Sequence, residues 1–242
     1  QSKNAGKSFD AKLMIQQENL GNQTLAEYVI SQYTGTQGEN SIYYHNSTLA
    51  NGAGDNSYRY AGANPNNYVC FGSDTTTCSE DNLYRIIGVF DNQVKLIKAT
   101  IAKSNLLGTD GAYNSDTSYQ WSSLTSCPSS TAYNSNNGIY QLANKNTIAA
   151  ADFAGCNEWH YSDLNKTNLN TNFVNNIGSI WADKIATTTW KVGGNTWDNI
   201  GGVVPATAYQ YEVRSSASTT TVDKKIGLMY VSDYGFAASP EA

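Results

Sequence analysis

Histidine is the side chain that most readily exchanges a proton near neutral pH, and this chain has two, His45 and His160. His160 has acidic neighbours in Glu158 and Asp163. Their spacing matches neither H-E-x-x-H nor a paired H-x-H, the patterns that bring a zinc ion or a general base into place. We therefore interpret His160 as a surface residue or as a residue at the start of a helix.

The carboxylates form no recognisable catalytic pair. Glycoside hydrolysis needs two acids that converge in space, and nothing in their spacing sets Asp152, Asp183 or Glu212 apart from the other acids. Asp110 and Asp116 flank a short segment whose oxygens could bind Ca²⁺, but the EF-hand register is missing and a turn is favoured. The chain also lacks G-x-S-x-G and a phosphate-binding glycine loop. We predict that it is not an enzyme and that it uses no metal and no cofactor.

Four cysteines, Cys70, Cys78, Cys127 and Cys156, allow three disulfide pairings. The stretch CFGSDTTTC closes a short polar loop, so Cys70–Cys78 together with Cys127–Cys156 is the most economical choice. A zinc site is disfavoured because no C-x2-C is present, whereas reduced, buried thiols remain the alternative. Disulfides are typical of secreted and cell-surface proteins.

Aromatic side chains recur in segments rich in Asn, Ser and Gly, a composition typical of adaptable binding loops. The segment 104–145 is long for a loop in a compact domain, which indicates a stapled or functional loop. A second candidate contact region surrounds the turn Gly193–Asn195. The alternative is that these rings pack beneath long loops. The candidate binding residues are Tyr113, Tyr119, Trp121, Tyr133, Trp190 and Trp197.

Composition and charge limit the partners. Only 14% of the 242 residues are charged and the net charge is −5, whereas a phosphate-binding surface needs clustered Lys and Arg. We therefore expect no nucleic-acid partner. Uncharged polar residues, including 28 Asn, supply most of the solubility, as in many secreted proteins. No run approaches the roughly 18 apolar residues of a membrane span, so we expect an extracellular or cell-surface protein anchored through a segment upstream of Gln1.

A β-hairpin is the strongest structural signal. Two β-rich runs, 83–90 and 94–101, flank Asp91, Asn92 and Gln93, and an Asp-Asn pair tolerates the positive φ angles of a tight turn. The run 86–90 is almost continuously apolar, which predicts a strand buried on both faces. We also predict a strand over 41–45 and a strand–turn–strand unit around Pro65.

Helical patterns precede and follow this hairpin. Thr24 and Glu27 fit a capping box, which predicts a short helix ending by Gly35. Apolar residues at helical spacing over 162–186 predict two short helices separated near Gly178. The apolar run 225–231 predicts a buried strand.

Three segments in this order, NLYRIIGVFDNQVKLIK, WHYSDLNKTNLNTNF and KIGLMYVSDYGFAAS, resemble surface proteins from gut Bacillota. Their core is similar to the C-type-lectin-like fold of formylglycine-generating enzymes and retroelement variable proteins. The resemblance implies an α+β, C-type-lectin-like domain over 51–242, preceded by a helical appendage or stalk over 1–50. Such relatives continue into a closing strand that this sequence lacks, so either the domain is incomplete at its C-terminus or a different strand closes the sheet.

These observations predict a bacterial surface protein for binding or adhesion that displays loops on a rigid scaffold. Its partner would be a glycan or a protein ligand at a cell surface. The alternative is a structural subunit of an extracellular filament, such as a pilin-like or sheath protein, which would form homo-oligomers or filaments.

Overall fold

The computed structural model describes residues 23–75, 77–116, 118–119, 131–134, 139–142, 159–192, 202–214 and 220–238. The fold is α+β, as the sequence predicts, with antiparallel strands and several short helices. The described strands are β1 (Ile42–Tyr44), β2 (Tyr58–Tyr60), β3 (Tyr68–Cys70), β4 (Leu83–Phe90), β5 (Gln93–Lys98), β6 (Tyr113–Ser115), β7 (Ser118–Tyr119), β8 (Thr131–Asn134), β9 (Ile139–Leu142), β10 (Thr188–Val192) and β11 (Thr220–Lys224).

The described helices are short. The α-helices are α1 (Leu25–Ser31), α2 (Ser104–Leu107), α3 (Val174–Asn176), α4 (Ser179–Ala182), α5 (Pro205–Tyr209) and α6 (Val231–Ala238). Two π-helices are also present. Leu164–Phe173 is followed directly by α3, and Gln210–Arg214 directly follows α5. Single 3₁₀ turns occur at Glu39–Ser41, Glu80–Asn82 and Trp159–Tyr161. Within the described ranges, no helix has both the length and the apolar character needed to cross a membrane.

Strand β4 is the centre of a five-stranded antiparallel sheet. One edge of β4 pairs with β5. On its other edge, the first residues of β4 pair with β3 and residues near its end pair with β2. The strands around Pro65 therefore form as predicted, but they pair with β4 rather than with each other. Asn67 lies immediately before β3: its backbone oxygen accepts from the Ile86 N–H at 2.7 Å, and its Nδ2 donates to the Ile86 oxygen at 2.7 Å.

The β4–β5 hairpin is confirmed, with a two-residue turn at Asp91 and Asn92. Their φ angles of 47° and 62° are those of the tight turn that the Asp-Asn pair predicts. A bulge shifts the register between Ile86 and Gly88. A Cβ on Gly88 would lie 2.4 Å from the Tyr58 oxygen, so the close approach of β2 requires glycine there.

Burial along β4 corrects one expectation. The strand is not buried on both faces: Tyr84, Ile86 and Val89 are buried, whereas Arg85 and Ile87 are only half-buried. The apolar face packs in a core cluster together with α1, β1 and the π-helix Leu164–Phe173. Ile87 lies at the bulge, where alternation is interrupted, so an apolar residue there does not mark a second buried face.

The predicted boundary at residue 50 falls between two paired strands. β1, before it, pairs with β2, after it, with Ile42 opposite Tyr60. Val29 of α1 and Ile42 are both fully buried in the main core cluster. The capping box of α1 is present, since Thr24 and Glu27 each accept a hydrogen bond from the other's backbone N–H. The remaining residues of the predicted appendage, 1–22, lie outside the described part.

The helices predicted over 162–186 are present and break at Gly178, whose φ is 87°. The strand predicted over 225–231 is wrong. The strand lies earlier, at Thr220–Lys224, and pairs with β10. Leu228 and Met229 are 44% and 43% exposed, and α6 begins at Val231. A short apolar run in the sequence cannot by itself show whether the segment forms a strand or leads into a helix.

Candidate functional site

A cleft opens between α1, β2 and the loop that leads to β3. Its volume is about 260 Å³. The lining consists of tyrosine rings, side-chain amides, one hydroxyl group and one aliphatic side chain. The lining residues are Tyr28, Gln32, Asn40, Ser41, Tyr60, Asn64, Asn66 and Ile86.

Part of the cleft lining is formed by an unusual backbone turn. Asn40 and Ser41 both adopt positive φ angles, 55° and 60°, which are uncommon for residues other than glycine. The Asn40 Nδ2 donates to the Gln32 oxygen at 2.9 Å, and the Ser41 oxygen accepts from the Ala61 N–H at 2.9 Å. Strain of this kind persists where surrounding structure enforces it, and it concentrates at ligand sites.

Another part of the lining is the loop that contains Asn64 and Asn66. These two amides are exposed, whereas Pro65 between them and Asn67 after them are buried. Asn67 is fixed to Ile86 and also accepts from the Arg85 Nε at 3.0 Å. The anchored residues therefore present Asn64 and Asn66 at the rim of the cleft.

The chemistry of the cleft is neutral. Burial, followed by the proximity of Tyr28, raises the pKa of Tyr60 to about 12, so this phenol keeps its proton at physiological pH. None of the described residues that line the cleft contributes a carboxylate, an imidazole, a thiol or a cationic group. It can offer an aromatic face together with paired hydrogen-bond donors and acceptors. The cleft thus suits a neutral, polyhydroxylated molecule better than an anion or a metal ion.

A second feature is a buried ion cluster formed by Asp55, Arg59, Lys95 and Asp233. Arg59 is 1% exposed, and its Nη2 and Nη1 lie 2.8 Å and 3.3 Å from carboxylate oxygens of Asp55 and Asp233. Lys95 Nζ lies 2.5 Å from the other Asp233 oxygen. Burial raises the pKa of Asp55, but the Arg59 charge and hydrogen bonds from Ser57 outweigh it, so the net shift is downward.

Aromatic rings enclose the two cations of the ion cluster. The Arg59 guanidinium lies 4.6 Å from the ring centre of Phe90 and 4.7 Å from that of Phe236. Lys95 Nζ lies 4.4 Å from the centre of Tyr230. Burial, the largest influence, raises the pKa of Tyr230 to about 12. Cations held over ring faces in a dry site are stabilised by the ring quadrupole.

His45 is buried beside this cluster rather than presented to solvent. Its Nδ1 accepts from the Ala53 N–H at 3.0 Å, and its ring meets Phe236 edge-on at 4.7 Å. Burial, followed by the charge of Arg59, lowers the pKa of His45 to about 3. The imidazole is therefore neutral and structural. His160 lies in the 3₁₀ turn Trp159–Tyr161 and is exposed, consistent with its interpretation as a residue at the start of a helix.

The structure describes the side chains of three of the predicted aromatic contact residues, Tyr113, Tyr119 and Trp190. Tyr113 and Tyr119 face each other across β6 and β7, with ring centres 5.5 Å apart. Tyr119 and Trp190 are half-buried against the main core, and Trp190 Nε1 donates to the Lys224 oxygen at 2.9 Å. Tyr133 lies in β8, and its side chain is not described. Trp121 and Trp197 lie outside the described residues.

The other candidate groups of the sequence are placed as follows. Asp110 and Asp116 accept hydrogen bonds from Asn172 and Ser104, which fits turn residues. Among the described residues, no group of three His, Cys, Asp or Glu could hold a metal ion.

Glu212 is buried and accepts from the N–H groups of Val231 and Ser232 at the start of α6. Asp183 is exposed, and residues 152 and 158 are outside the described ranges.

The disulfide between Cys70 and Cys78 is present, with 5.6 Å between the Cα atoms. It closes the loop that joins β3 to β4, as the sequence predicts. Cys127 and Cys156 lie outside the described residues.

The cleft was missed by sequence reasoning because it is assembled from four separate segments, 28–32, 40–41, 60–66 and residue 86. Two local signals were available: Asn40 and Ser41 follow a glycine in a turn, and Asn64 and Asn66 flank a proline. Comparison with known proteins adds no further assignment. No protein-family model matches the chain, and neither a curated protein nor a solved structure is significantly similar to it.

Proposed function

We propose that this chain is a secreted or cell-surface binding protein whose cleft holds a neutral carbohydrate. The observation that carries the proposal is the lining of the cleft: tyrosine rings, amides and a hydroxyl group, without a formal charge. A sugar ring offers an apolar C–H face and a rim of hydroxyl groups. Tyrosine rings pack against the first, and amide side chains donate to and accept from the second.

Three further features support this proposal. The Cys70–Cys78 disulfide is typical of an oxidising compartment. The chain carries few charges and many Asn residues, a composition that suits an extracellular surface. The antiparallel sheet with short helices packed on it is an α+β arrangement, the class to which a C-type-lectin-like core also belongs. In this proposal the sheet is the rigid scaffold and the loops around it form the binding face.

A glycan array probed with the full chain tests the proposal. Sugars that bind would then be titrated by calorimetry into wild type, Asn64→Ala and Asn66→Ala, which remove exposed amides from the rim. Each lost hydrogen bond should weaken affinity roughly three- to tenfold. Asn175→Ala is the matched control, because Asn175 is exposed on α3 and does not line the cleft.

Two outcomes would refute the carbohydrate site. One is a folded protein that binds no glycan on the array. The other is a bound glycan whose affinity is the same in wild type and in both rim variants, which would place binding elsewhere. A protein ligand captured in place of a glycan, with unchanged binding by the rim variants, would support the adhesion function but not this cleft.

A filament subunit is the second candidate, favoured by the distribution of exposed apolar side chains. Six of the eight exposed large hydrophobic residues among those described fall within 204–234: Val204, Tyr211, Leu228, Met229, Val231 and Tyr234. Exposed apolar side chains that lie together in a contiguous patch are typical of an interaction face. Light scattering over a concentration series would reveal assembly, and Tyr234→Lys should abolish it. A monomer at all concentrations would exclude this candidate.

A further inference from the structure

Lys95 and Asp233 lie side by side in the ion cluster, although 138 positions separate them in the chain. The Lys95 Nζ is 2.5 Å from the Asp233 Oδ2. Lys95 comes from β5 and Asp233 from the first turn of α6. Their side chains are 19% and 2% exposed, so the amine meets the carboxyl group largely out of water.

The site is enclosed by rings, which lowers the local dielectric constant. Lys95 Nζ lies 4.4 Å, 5.3 Å and 5.7 Å from the ring centres of Tyr230, Trp190 and Phe90. Burial is the largest influence on Lys95 and lowers its pKa, and the carboxylates of Asp233 and Glu212 offset this only in part. A desolvated amine gives up its proton more readily and becomes a nucleophile.

We propose that Lys95 and Asp233 condense to form an amide bond between their side chains, with the release of one water molecule. This covalent link is independent of the carbohydrate cleft and goes beyond the proposed binding function. It needs no oxidant, reductant or cofactor, because an amine and a carboxylic acid differ from an amide and water only in the arrangement of their bonds.

The steps balance within the ion cluster. A proton passes from the Lys95 ammonium group to the Asp233 Oδ2, which gives a neutral amine and a neutral acid in a site where charge separation is costly. The Nζ lone pair then forms a bond to the Asp233 Cγ. The C–Oδ2 bond breaks as Oδ2 takes a proton from the nitrogen and leaves as water.

Arg59 is positioned to assist this attack. Its Nη1 lies 3.3 Å from the Asp233 Oδ1, the oxygen that gains negative charge when the tetrahedral intermediate forms. A fixed cation aimed at that oxygen stabilises the developing charge. The Tyr230 N–H donates to Oδ2 at 3.2 Å and helps to hold the carboxyl group in orientation. The site thus contains a nucleophile in Lys95, an electrophilic carbon in Asp233, and a cation in Arg59 that stabilises the oxyanion.

The consequence for the molecule is a covalent tie between β5 and α6. A bond of this kind closes a long loop that the unfolded chain cannot reopen, and it persists under reducing conditions where a disulfide does not. A surface protein exposed to proteases and to pulling forces would retain its fold after partial cleavage within that loop.

Mass spectrometry of the full chain tests this proposal. After complete reduction and denaturation, the intact mass should be lower than the sequence mass by one water molecule. Trypsin should fail to cleave after Lys95, and tandem spectra should show a branched peptide that joins the segment containing Lys95 to the one containing Asp233. On a reducing, denaturing gel the bonded chain should migrate faster than an unbonded variant.

Lys95→Arg is the variant that removes the nucleophilic amine while keeping a positive charge, and it should restore the full sequence mass. Lys98→Arg is the matched control on the same strand, since the Lys98 Nζ donates to the Asp81 backbone oxygen; it should still lose water. A wild-type chain at its full sequence mass, cleaved by trypsin after Lys95, would overturn the proposal and leave the contact an ordinary ion pair. Water loss that maps to other residues would overturn it equally.

Discussion

Arg59 and Asp233 are 174 positions apart in the chain, yet the Arg59 Nη1 lies 3.3 Å from the Asp233 Oδ1, and both side chains are 2% exposed. The other nitrogens of Arg59 are also engaged: Nε donates to the Ser57 Oγ and Nη2 to the Asp55 Oδ2, each at 2.8 Å. The guanidinium therefore links β2, the preceding loop and α6 in one buried network.

Arg59→Lys should destabilise the fold although it keeps the charge. A lysine ammonium is a compact group that cannot reach three acceptors arranged around a planar fork. We expect the free energy of unfolding to fall by about 2–4 kcal/mol, as when buried charges lose partners. Urea denaturation measures it. Arg214→Lys, at an exposed arginine, should cost less than about 1 kcal/mol; equal losses in both variants would contradict the proposed role of the fork.

The amide of Asn168 has a similar role at the start of the segment 104–145. Its Oδ1 accepts from the Ala112 N–H at 2.9 Å, and its Nδ2 donates to the backbone oxygens of Leu107 and Asp110 at 2.8 Å and 3.0 Å. Asn168 is fully buried in the π-helix Leu164–Phe173. This one side chain fastens the loop after α2 to the helix.

Asn168→Asp keeps the shape but replaces two donors with an acceptor. The carboxylate would face the Leu107 and Asp110 oxygens without water, so we expect a loss of roughly 3 kcal/mol or more in the free energy of unfolding. Thermal unfolding followed by circular dichroism provides the measurement. Asn175→Asp, at an exposed position close to the same helix, should have little effect, and a comparable loss there would argue against a buried network.

These asparagines show where sequence reasoning reaches its limit. Nothing in the Asn-rich stretch LNKTNLNTNFVNN distinguishes Asn165 and Asn168 from its other asparagines, yet both are fully buried and hydrogen-bond to the backbone. A hydrophobicity pattern cannot distinguish an amide that meets water from one that meets a backbone carbonyl. The β4–β5 hairpin and the capping box of α1 were predictable because each is specified by residues adjacent in sequence.

The ion cluster could not be predicted for a different reason. Its members come from the loop before β2, from β2, from β5 and from α6, and no spacing rule connects them. Their partners depend on how the chain packs. The same holds for α6, where Glu212, from a distant segment, accepts from the N–H groups of Val231 and Ser232. The apolar run 225–231, which the sequence predicts as a strand, is the approach to this helix.

Removing the Cys70–Cys78 disulfide should lower stability by a predictable amount. The bond spans eight positions, and in the chain-entropy account a loop of this size contributes roughly 2–3 kcal/mol. Cys70→Ser/Cys78→Ser should therefore shift the urea midpoint downward under non-reducing conditions. In the unreduced wild type, alkylation should leave both cysteines unmodified. Labelling of both thiols, or an unchanged midpoint, would contradict the bond.

The cleft also predicts a specific optical signal. Tyr28 and Tyr60 line it, and aromatic rings that pack against a sugar change their surroundings when it binds. A bound carbohydrate should alter the near-ultraviolet circular dichroism of the tyrosines in wild type and in Asn175→Ala. The change should require a higher sugar concentration in Asn64→Ala. A spectrum that is insensitive to a saturating glycan would contradict contact with these rings.

His45 gives the fold a defined dependence on pH. The folded state holds its imidazole neutral with a pKa of about 3, whereas the unfolded chain takes up a proton near the ordinary value of 6.5. Between these values the unfolded state binds more protons, so stability is fully present above about pH 6.5 and falls as the pH is lowered toward 3. One such group changes the free energy of unfolding by at most about 1.4 kcal/mol per pH unit.

Comparison of wild type with His45→Asn isolates this contribution, because Asn offers an oxygen in place of Nδ1 and does not titrate. The variant should be less stable at pH 7 through lost packing against Phe236, and the difference should narrow steadily as the pH falls below 6.5. Denaturation in urea at several pH values measures it. A gap between wild type and His45→Asn that stays constant from pH 7 to pH 4 would show that His45 is not held neutral by its burial.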